Sequence, residues 1–345
     1  TYYLSTGQAG TGDGIAFVTP VEMTGDHIVD YVYAGDINGH VWRFDLTSQS
    51  PANWAVTPGP IFSTPQGQPI TTAVQPAFVT NAVTSESQLM LFFGTGEKFP
   101  LTNSSATRYA SGTQAFYGVW DWNMDGWNAY GLTQFASLSP ATVAGLISSS
   151  GSSPTLTAGN LVQQTVSLGA NGGRTMGTAA PICWAGTLAC SGGNDQFGWY
   201  IDFPGSSTGY NQTTDEQLIY NPTIVSTAVV FNSTLPAINS PLDCNPGTDT
   251  GYTYAIDAQT GGPIPNFFND SSTTLNNGNV FTVAFASEAT GTDSVVTTNG
   301  TGGSGSGGVG KTYLVYQTIN GTAGAKQIIE ANDINGMPET WIELR

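Results

Sequence analysis

An all-β fold is predicted by three features of this 345-residue sequence. Short β-branched and aromatic runs recur along its length, each bounded by Gly, Asn, Asp or Pro. Helical periodicity is nearly absent. A hairpin unit of the form Y-x-Y/W…D…G returns at intervals, the pattern expected of propeller blades whose hairpins face a central axis.

The strand segments follow in order: IVDYVYAG (28–35), HVWRFDL (40–46), LMLFFGTG (89–96), AFYGVWDW (115–122), FGWYIDF (197–203), TIVSTAVVF (223–231), YTYAIDA (252–258), NVFTVAFA (279–286) and KTYLVYQTI (311–319). The best-specified hairpin is 31–45, where Asn38-Gly39 predicts a type I′ turn because both residues tolerate positive φ. Looser versions stand at 252–262 and at 332–341, the latter with Asn335-Gly336. One short helix is expected over PATVAGLI (140–147), with Ser139 as N-cap and Pro140 at the first helical position. Residues 148–177 and 292–310, rich in Ser, Gly and Thr, read as mobile surface loop insertions. At roughly 45 residues per blade the chain, read as a single domain over 1–345, would fill about seven blades. A two-sheet sandwich is the architectural alternative.

Composition bounds the function. Charged residues are 9% of the chain, and 7 Lys+Arg stand against 24 Asp+Glu for a formal net charge of −17. The seven bases are scattered, so no patch neutralises several phosphates, and neither nucleic acid nor an anionic membrane surface is an expected partner. Divalent cations suit such a surface better. No run is long and apolar enough to insert directly in a membrane. The chain opens at Thr1, without a Met and within a strand-like segment, and reads as a processed or truncated piece of a longer protein whose export signals would lie upstream.

Three cysteines allow three pairings. In an oxidising compartment the short CWAGTLAC loop favours Cys183–Cys190, leaving Cys244 over.

GIAFVTPVEM-TGDHIVDYVYAGDINGHVWRFDL (14–46) resembles the signature of the C-terminal domain of PilC/PilY proteins, in which an acidic loop runs into a YAGD hairpin. GPIFSTPQGQPITTAVQPAFV (59–79), LFFGTGEKF (91–99), FYGVWDWN (116–123), NLVQQTV (160–166), GWYIDFP (198–204), PLDCNPG…YTYAIDAQTGG (241–262) and ETWIELR (339–345) follow in the family's order. The resemblance implies a modified β-propeller of about seven blades with long surface loops. It implies a place outside the cell, at or near the tip of a type IV pilus. It also implies a non-enzymatic role: promoting pilus assembly against retraction, contacting minor pilins, and attaching to host-cell or abiotic surfaces.

Calcium is the cofactor that the resemblance implies for the acidic loop. The matching positions are Glu22, Thr24, Asp26 and Asp30, with a carbonyl from Ile28. Glu in place of Asp, Thr in place of an amide or acid, and His27 where Gly is usual would weaken such a site. The alternative is a solvated turn whose carboxylates accept backbone N–H groups. A second candidate comes from the residues themselves: Asp121-Trp-Asn123-Met-Asp125-Gly126 follows the first half of a D-x-N-x-D-G calcium loop, without its closing acid. The same stretch is densest in aromatics, which makes Trp120, Trp122, Trp127 and Tyr130 a candidate contact loop for pilins, glycans or surfaces, or else a cluster capping the core.

Catalysis has few players. His27 and His40 are the two histidines, and neither lies in a nucleophile motif. Asp215-Glu216 reads as a solvated pair in a polar loop. Gly305–Thr312 matches a phosphate-loop pattern, but a linker precedes it and a strand-like run follows, where a strand and a helix are required. The rival readings are a secreted propeller enzyme, either a quinone-dependent oxidoreductase or a polysaccharide hydrolase, and a structural filament or sheath subunit.

Overall fold

The structure, a computed structural model, describes residues 1–7, 14–130, 133–149, 154–168, 174–188, 190–204, 216–237, 239–242, 244, 247, 249–264, 283–287, 289–298, 311–318 and 323–328. Asn335-Gly336, the family block at 339–345 and residues 305–310 of the phosphate-loop pattern lie outside the described residues.

Among the described residues the regular secondary structure is almost all strand, as expected of a propeller. The first group is β1 (Ile15–Val21), β2 (Tyr31–Asp36), β3 (His40–Asp45), β4 (Ala55–Val56) and β5 (Phe62–Ser63). The second is β6 (Gln75–Thr80), β7 (Ser87–Gly94), β8 (Lys98–Phe99), β9 (Arg108–Tyr109) and β10 (Ala115–Trp120). Helices α1 (Asp125–Asn128) and α2 (Pro140–Leu146) follow, then β11 (Leu156–Thr157), β12 (Val162–Gln164), β13 (Val166–Leu168), β14 (Arg174–Met176) and β15 (Gly198–Asp202). The last group is β16 (Thr223–Val225), β17 (Ala228–Asn232), β18 (Thr250–Asp257), β19 (Val283–Ser287), β20 (Ala289–Thr298), β21 (Lys311–Thr318) and β22 (Ala323–Ile328).

Among the described residues three sheets carry most of the packing. Their orders are β1-β2-β3-β5-β11 with β4 on β3, β12-β15-β10-β7-β6, and β16-β17-β18-β19. The middle sheet is the driest. All six residues of β10 and seven of eight in β7 are buried, which explains why LMLFFG and AFYGVW are continuous apolar runs and not alternating ones. Aromatic rings join the sheets. Phe62 of β5 packs edge-on against Phe93 of β7 at 5.7 Å, while Phe116 of β10 stacks on Phe231 of β17 at 4.0 Å and Phe231 on Tyr254 of β18 at 4.9 Å. Such offset ring pairs add to the burial of their large areas.

Local chemistry matches the sequence reading at α2, where Ser139 Oγ accepts from Thr142 N at 3.2 Å and Pro140 opens the helix. The 31–45 hairpin forms, but its turn differs from the expected type I′. Three residues separate β2 from β3, and of the Asn38-Gly39 pair Gly39 alone takes positive φ (85°). Asp36 is the reason: its carboxylate accepts from the backbone N–H groups of Asn38 and His40, both at 2.9 Å, and sets a three-residue loop with the glycine last.

The two expected loop insertions are in part strand. Within 148–177, β11 pairs in parallel with β5 and β12 with β15, and Leu156, Leu161 and Gln164 are buried. Strands of two or three residues show no alternation to read. Residues 292–298 belong to β20, paired with β21; 299–310 lie outside the described residues. Cys183 and Cys190 are joined by a disulfide, and Cys244 is an exposed free thiol.

Inside the middle sheet Gly118 of β10 lies opposite Trp199 of β15, and a Cβ there would sit 2.5 Å from the indole. Gly118→Ala should therefore cost about 1–3 kcal/mol through overpacking, read as a lower urea midpoint at unchanged slope.

Candidate functional site

The acidic loop spans the turn between β1 and β2, and its side chains fold back on its own backbone. Glu22 Oε1 accepts from Thr24 N at 2.6 Å, from Thr24 Oγ1 at 2.9 Å, and from Gly25 N. Asp26 Oδ1 accepts from Ile28 N at 2.9 Å, and Asp30 Oδ2 accepts from Met23 N at 2.7 Å. His27 sits at φ 65°, the left-handed conformation that glycine adopts more cheaply.

The three carboxyls are tuned differently. Desolvation raises Glu22, but hydrogen bonds from Thr24, Gly25 and Asp26 outweigh it and hold the group below its ordinary value. The Thr24 side chain and Ile28 N–H lower Asp26. Burial raises Asp30, the charges of Asp26, Glu22 and Asp45 add to it, and the Met23 N–H opposes them. Among the described residues no three His, Cys, Asp or Glu side chains converge closely enough to hold a metal ion. As arranged, the loop is a turn closed by its own N–H donors, not a preformed calcium cage.

The second candidate loop is an inward anchor. Asp121 is buried and accepts from Arg43 Nη1 at 2.9 and 2.8 Å and from the Tyr33 hydroxyl at 2.6 Å. The Asn123 carbonyl accepts from the same Arg43 nitrogen at 2.7 Å, while Asp125 is exposed and begins α1. Within the D-x-N-x-D-G stretch the Arg43 guanidinium is bound by Asp121 and the Asn123 carbonyl, and the carboxylates of Asp121 and Asp125 face different environments. The contact-loop expectation changes too. Trp120, Trp122 and Trp127 are core residues, and of the four aromatics Tyr130 alone is exposed.

Two more carboxylates repeat the arrangement. Glu216, read from sequence as solvated, is fully buried. It accepts from Arg174 Nε at 2.6 Å, from Tyr254 Oη at 2.8 Å and from Ser233 Oγ, and the Arg174 guanidinium lies 4.5 Å from the Tyr252 ring centroid. Asp215 lies outside the described residues. Asp249 meets Lys98 Nζ at 2.6 Å, the Tyr109 hydroxyl at 2.8 Å and Ala237 N at 2.8 Å. Burial, reinforced by the adjacent carboxylate, pushes the Tyr33, Tyr254 and Tyr109 phenols above their ordinary range, so each stays a donor. His40 Nδ1 lies 3.0 Å from Asp36 Oδ2, which also accepts from Trp42 Nε1 at 2.8 Å.

Every Lys or Arg whose side chain is described (Arg43, Lys98, Arg108, Arg174) is ion-paired. A base inside the apolar run HVWRFDL was the available signal that a buried acid must exist. Its position could not be read, because the partner is 78 residues away.

The family model of the PilY1 beta-propeller domain matches residues 4–137. The type IV pilus biogenesis factor PilY1 of Pseudomonas aeruginosa strain PAO1 is 30% identical over 282 residues, covering 74% of this chain and 21% of that protein. The chain belongs to the PilY1 family. A PilY1 homolog of Xylella fastidiosa is 28% identical over 120 residues, 32% of this chain and 8% of its own. The crystal structure of the P. aeruginosa PilY1 C-terminal domain superposes with a TM-score of 0.58 at 21% identity, over 94% of this chain and 62% of that one. The chain spans about a fifth of the length of the P. aeruginosa PilY1 it matches. The Asp121 and Arg43 anchor falls inside the segment matched by the PilY1 model.

Asp121→Ala should cost about 3–5 kcal/mol, since it strands a buried guanidinium. The double variant Arg43→Met/Asp121→Leu should recover much of that loss in the same denaturant titration. Asp30 carries the opposite sign. Its raised value means that its contribution is largest below about pH 4, the unfolded carboxyl range, and is lost as pH rises through the folded value. Asp30→Asn should therefore flatten the stability decline above pH 4 and leave the protein no less stable at pH 7, measured by thermal melts across pH.

Proposed function

We propose that this chain is a non-enzymatic module of a longer, exported PilY1-type protein, acting outside the cell at the tip of a type IV pilus. In this reading it promotes pilus assembly by opposing retraction, contacts minor pilins, and contributes to attachment to host cells or abiotic surfaces. The observation that carries the proposal is the 282-residue alignment to a protein named as a type IV pilus biogenesis factor. The side-chain chemistry supports a scaffold over an enzyme. The buried carboxylates Asp121, Glu216 and Asp249 are each committed to a cation and a tyrosine, and the His40 ring is taken up by Asp36. Pairing of the described bases leaves phosphate no ready patch, in keeping with a role apart from nucleic acid. No helix among the described residues is long and apolar enough to cross a membrane.

Calcium forms a second part of the proposal. The Glu22–Asp30 loop would take the ion by giving up N–H donors now bound to Glu22 Oε1, so binding would fall in the weak, extracellular range of about 10⁻⁴–10⁻³ M. Calorimetric titration of calcium-stripped protein should give heat in that range. Glu22→Gln/Asp30→Asn should remove it. No heat, with no shift in melting temperature at millimolar calcium, would end this part of the proposal while leaving the pilus role intact.

Deleting the domain in its native cell tests the pilus role. Surface pili should be lost and should return when the retraction motor is also disabled, with attachment falling in parallel. Unchanged pilus number and attachment would contradict the proposal and reopen the enzyme reading.

A further inference from the structure

An open cleft of about 380 Å³ lies where three segments meet, and the pilus reading leaves it unused. Ile37 at the tip of the β2–β3 hairpin forms one wall. Glu97, Lys98 and Phe99, leading into and forming β8, make the second, Ile219 and Tyr220 the third, and Thr71 completes the lining. The volume is at the small end of the ~300–1,000 Å³ usual for ligand sites, and suits one long side chain.

The two charges in the wall are held very differently. Lys98 spends its ammonium on Asp249 at 2.6 Å. Glu97 has Arg108 at 3.9 Å, beyond hydrogen-bond reach, on a side chain that is 71% exposed. That guanidinium also lies 4.0 Å from the centroid of the Phe99 ring, itself 43% exposed. A flexible cation at the rim thus already touches one aromatic face and approaches one carboxylate, the two elements by which proteins recognise ammonium and guanidinium groups. Burial lifts the Glu97 carboxyl above its ordinary value, with the Arg108 charge opposing, so a better-placed cation would be favourable there.

We propose that this cleft binds a lysine or arginine side chain of a protein partner, its aliphatic arm along Ile37, Phe99 and Ile219 and its charge at Glu97. Charge complementarity selects this occupant: the chain carries a net −17, and the one loosely paired charge in the cleft is a carboxylate. A saccharide fits less well, because no lining residue supplies a side-chain amide and three of the seven supply no polar side-chain atom. The inference does not depend on the pilus role. A free polyamine shares the ammonium chemistry, so the test separates it.

The experiment is an NMR or calorimetric titration of the chain with the tripeptide Ac-Gly-Lys-Gly-NH₂, its acetyl-lysine counterpart, putrescine and glucose. The lysine peptide should bind and the acetyl-lysine peptide should not. Glu97→Gln should weaken binding about tenfold, the loss of one charge-assisted contact. Phe99→Ala should weaken it too, and Arg108→Ala, which removes the resident cation, should tighten it. All three positions are partly or largely exposed, and melting curves of the variants check that they fold. Equal binding of the acetylated peptide, indifference to Glu97→Gln, tighter binding of putrescine than of the peptide, or binding of glucose alone would each overturn the proposal.

Discussion

The fold depends on how an acidic chain neutralises the few charges it takes inside. Asp121, Glu216 and Asp249 each sit at a junction between segments distant in sequence, and each is closed by one cation and one tyrosine hydroxyl. Such sites are costly when half-built, because an uncompensated buried charge outweighs the worth of the intact pair. They therefore act less as glue than as a check on register. The β3–β10, β14–β17/β18 and β8–β18 junctions close only when the correct cation, acid and phenol arrive together. Aromatic stacking between Phe116, Phe231 and Tyr254 supplies area that tolerates small slips, and the anchors do not.

This use of charge shapes the surface left for partners. Among the described residues Arg43 and Arg174 are buried in ion pairs and Lys98 is held by Asp249, which leaves Arg108 as the well-exposed cation. For a module of the PilY1 family, that favours partners that bring their own positive charge. The Trp-rich segment around α1 illustrates the division of labour. Its indoles fill the core, and the exposed Tyr130 at its rim donates its side-chain hydroxyl to the Thr47 carbonyl at 3.2 Å.

Much of the fold was legible because the central strands are nearly all apolar, as at 89–94 and 115–120, and because α2 carries a complete N-cap signal at Ser139-Pro140. The acidic loop was picked out through the family resemblance at Glu22, Asp26 and Asp30, with a turn closed by backbone N–H groups as the alternative to a calcium site. What stayed hidden was non-local. β11 and β12 are too short to show a period and exist because Leu156–Thr157 pair with β5 and Val162–Gln164 with β15, in two different sheets. The D-x-N-x-D-G spacing looked like an ion loop because local spacing cannot show that Asp121 points at Arg43. Glu216 looked solvated for the same reason: its three partners lie 17 to 42 residues away. The Asn38-Gly39 turn was misread at the level of one side chain, since Asp36 captures two backbone donors and changes the loop.

The most direct test of the account is a chimera. The C-terminal domain of P. aeruginosa PilY1 would be replaced by this chain in cells lacking PilY1, alongside the same chimera carrying Asp121→Ala. The account predicts surface pili with the intact chain while retraction remains active, and their loss with the broken anchor. An exported, folded chimera that restores no pili would contradict the pilus role proposed for this module.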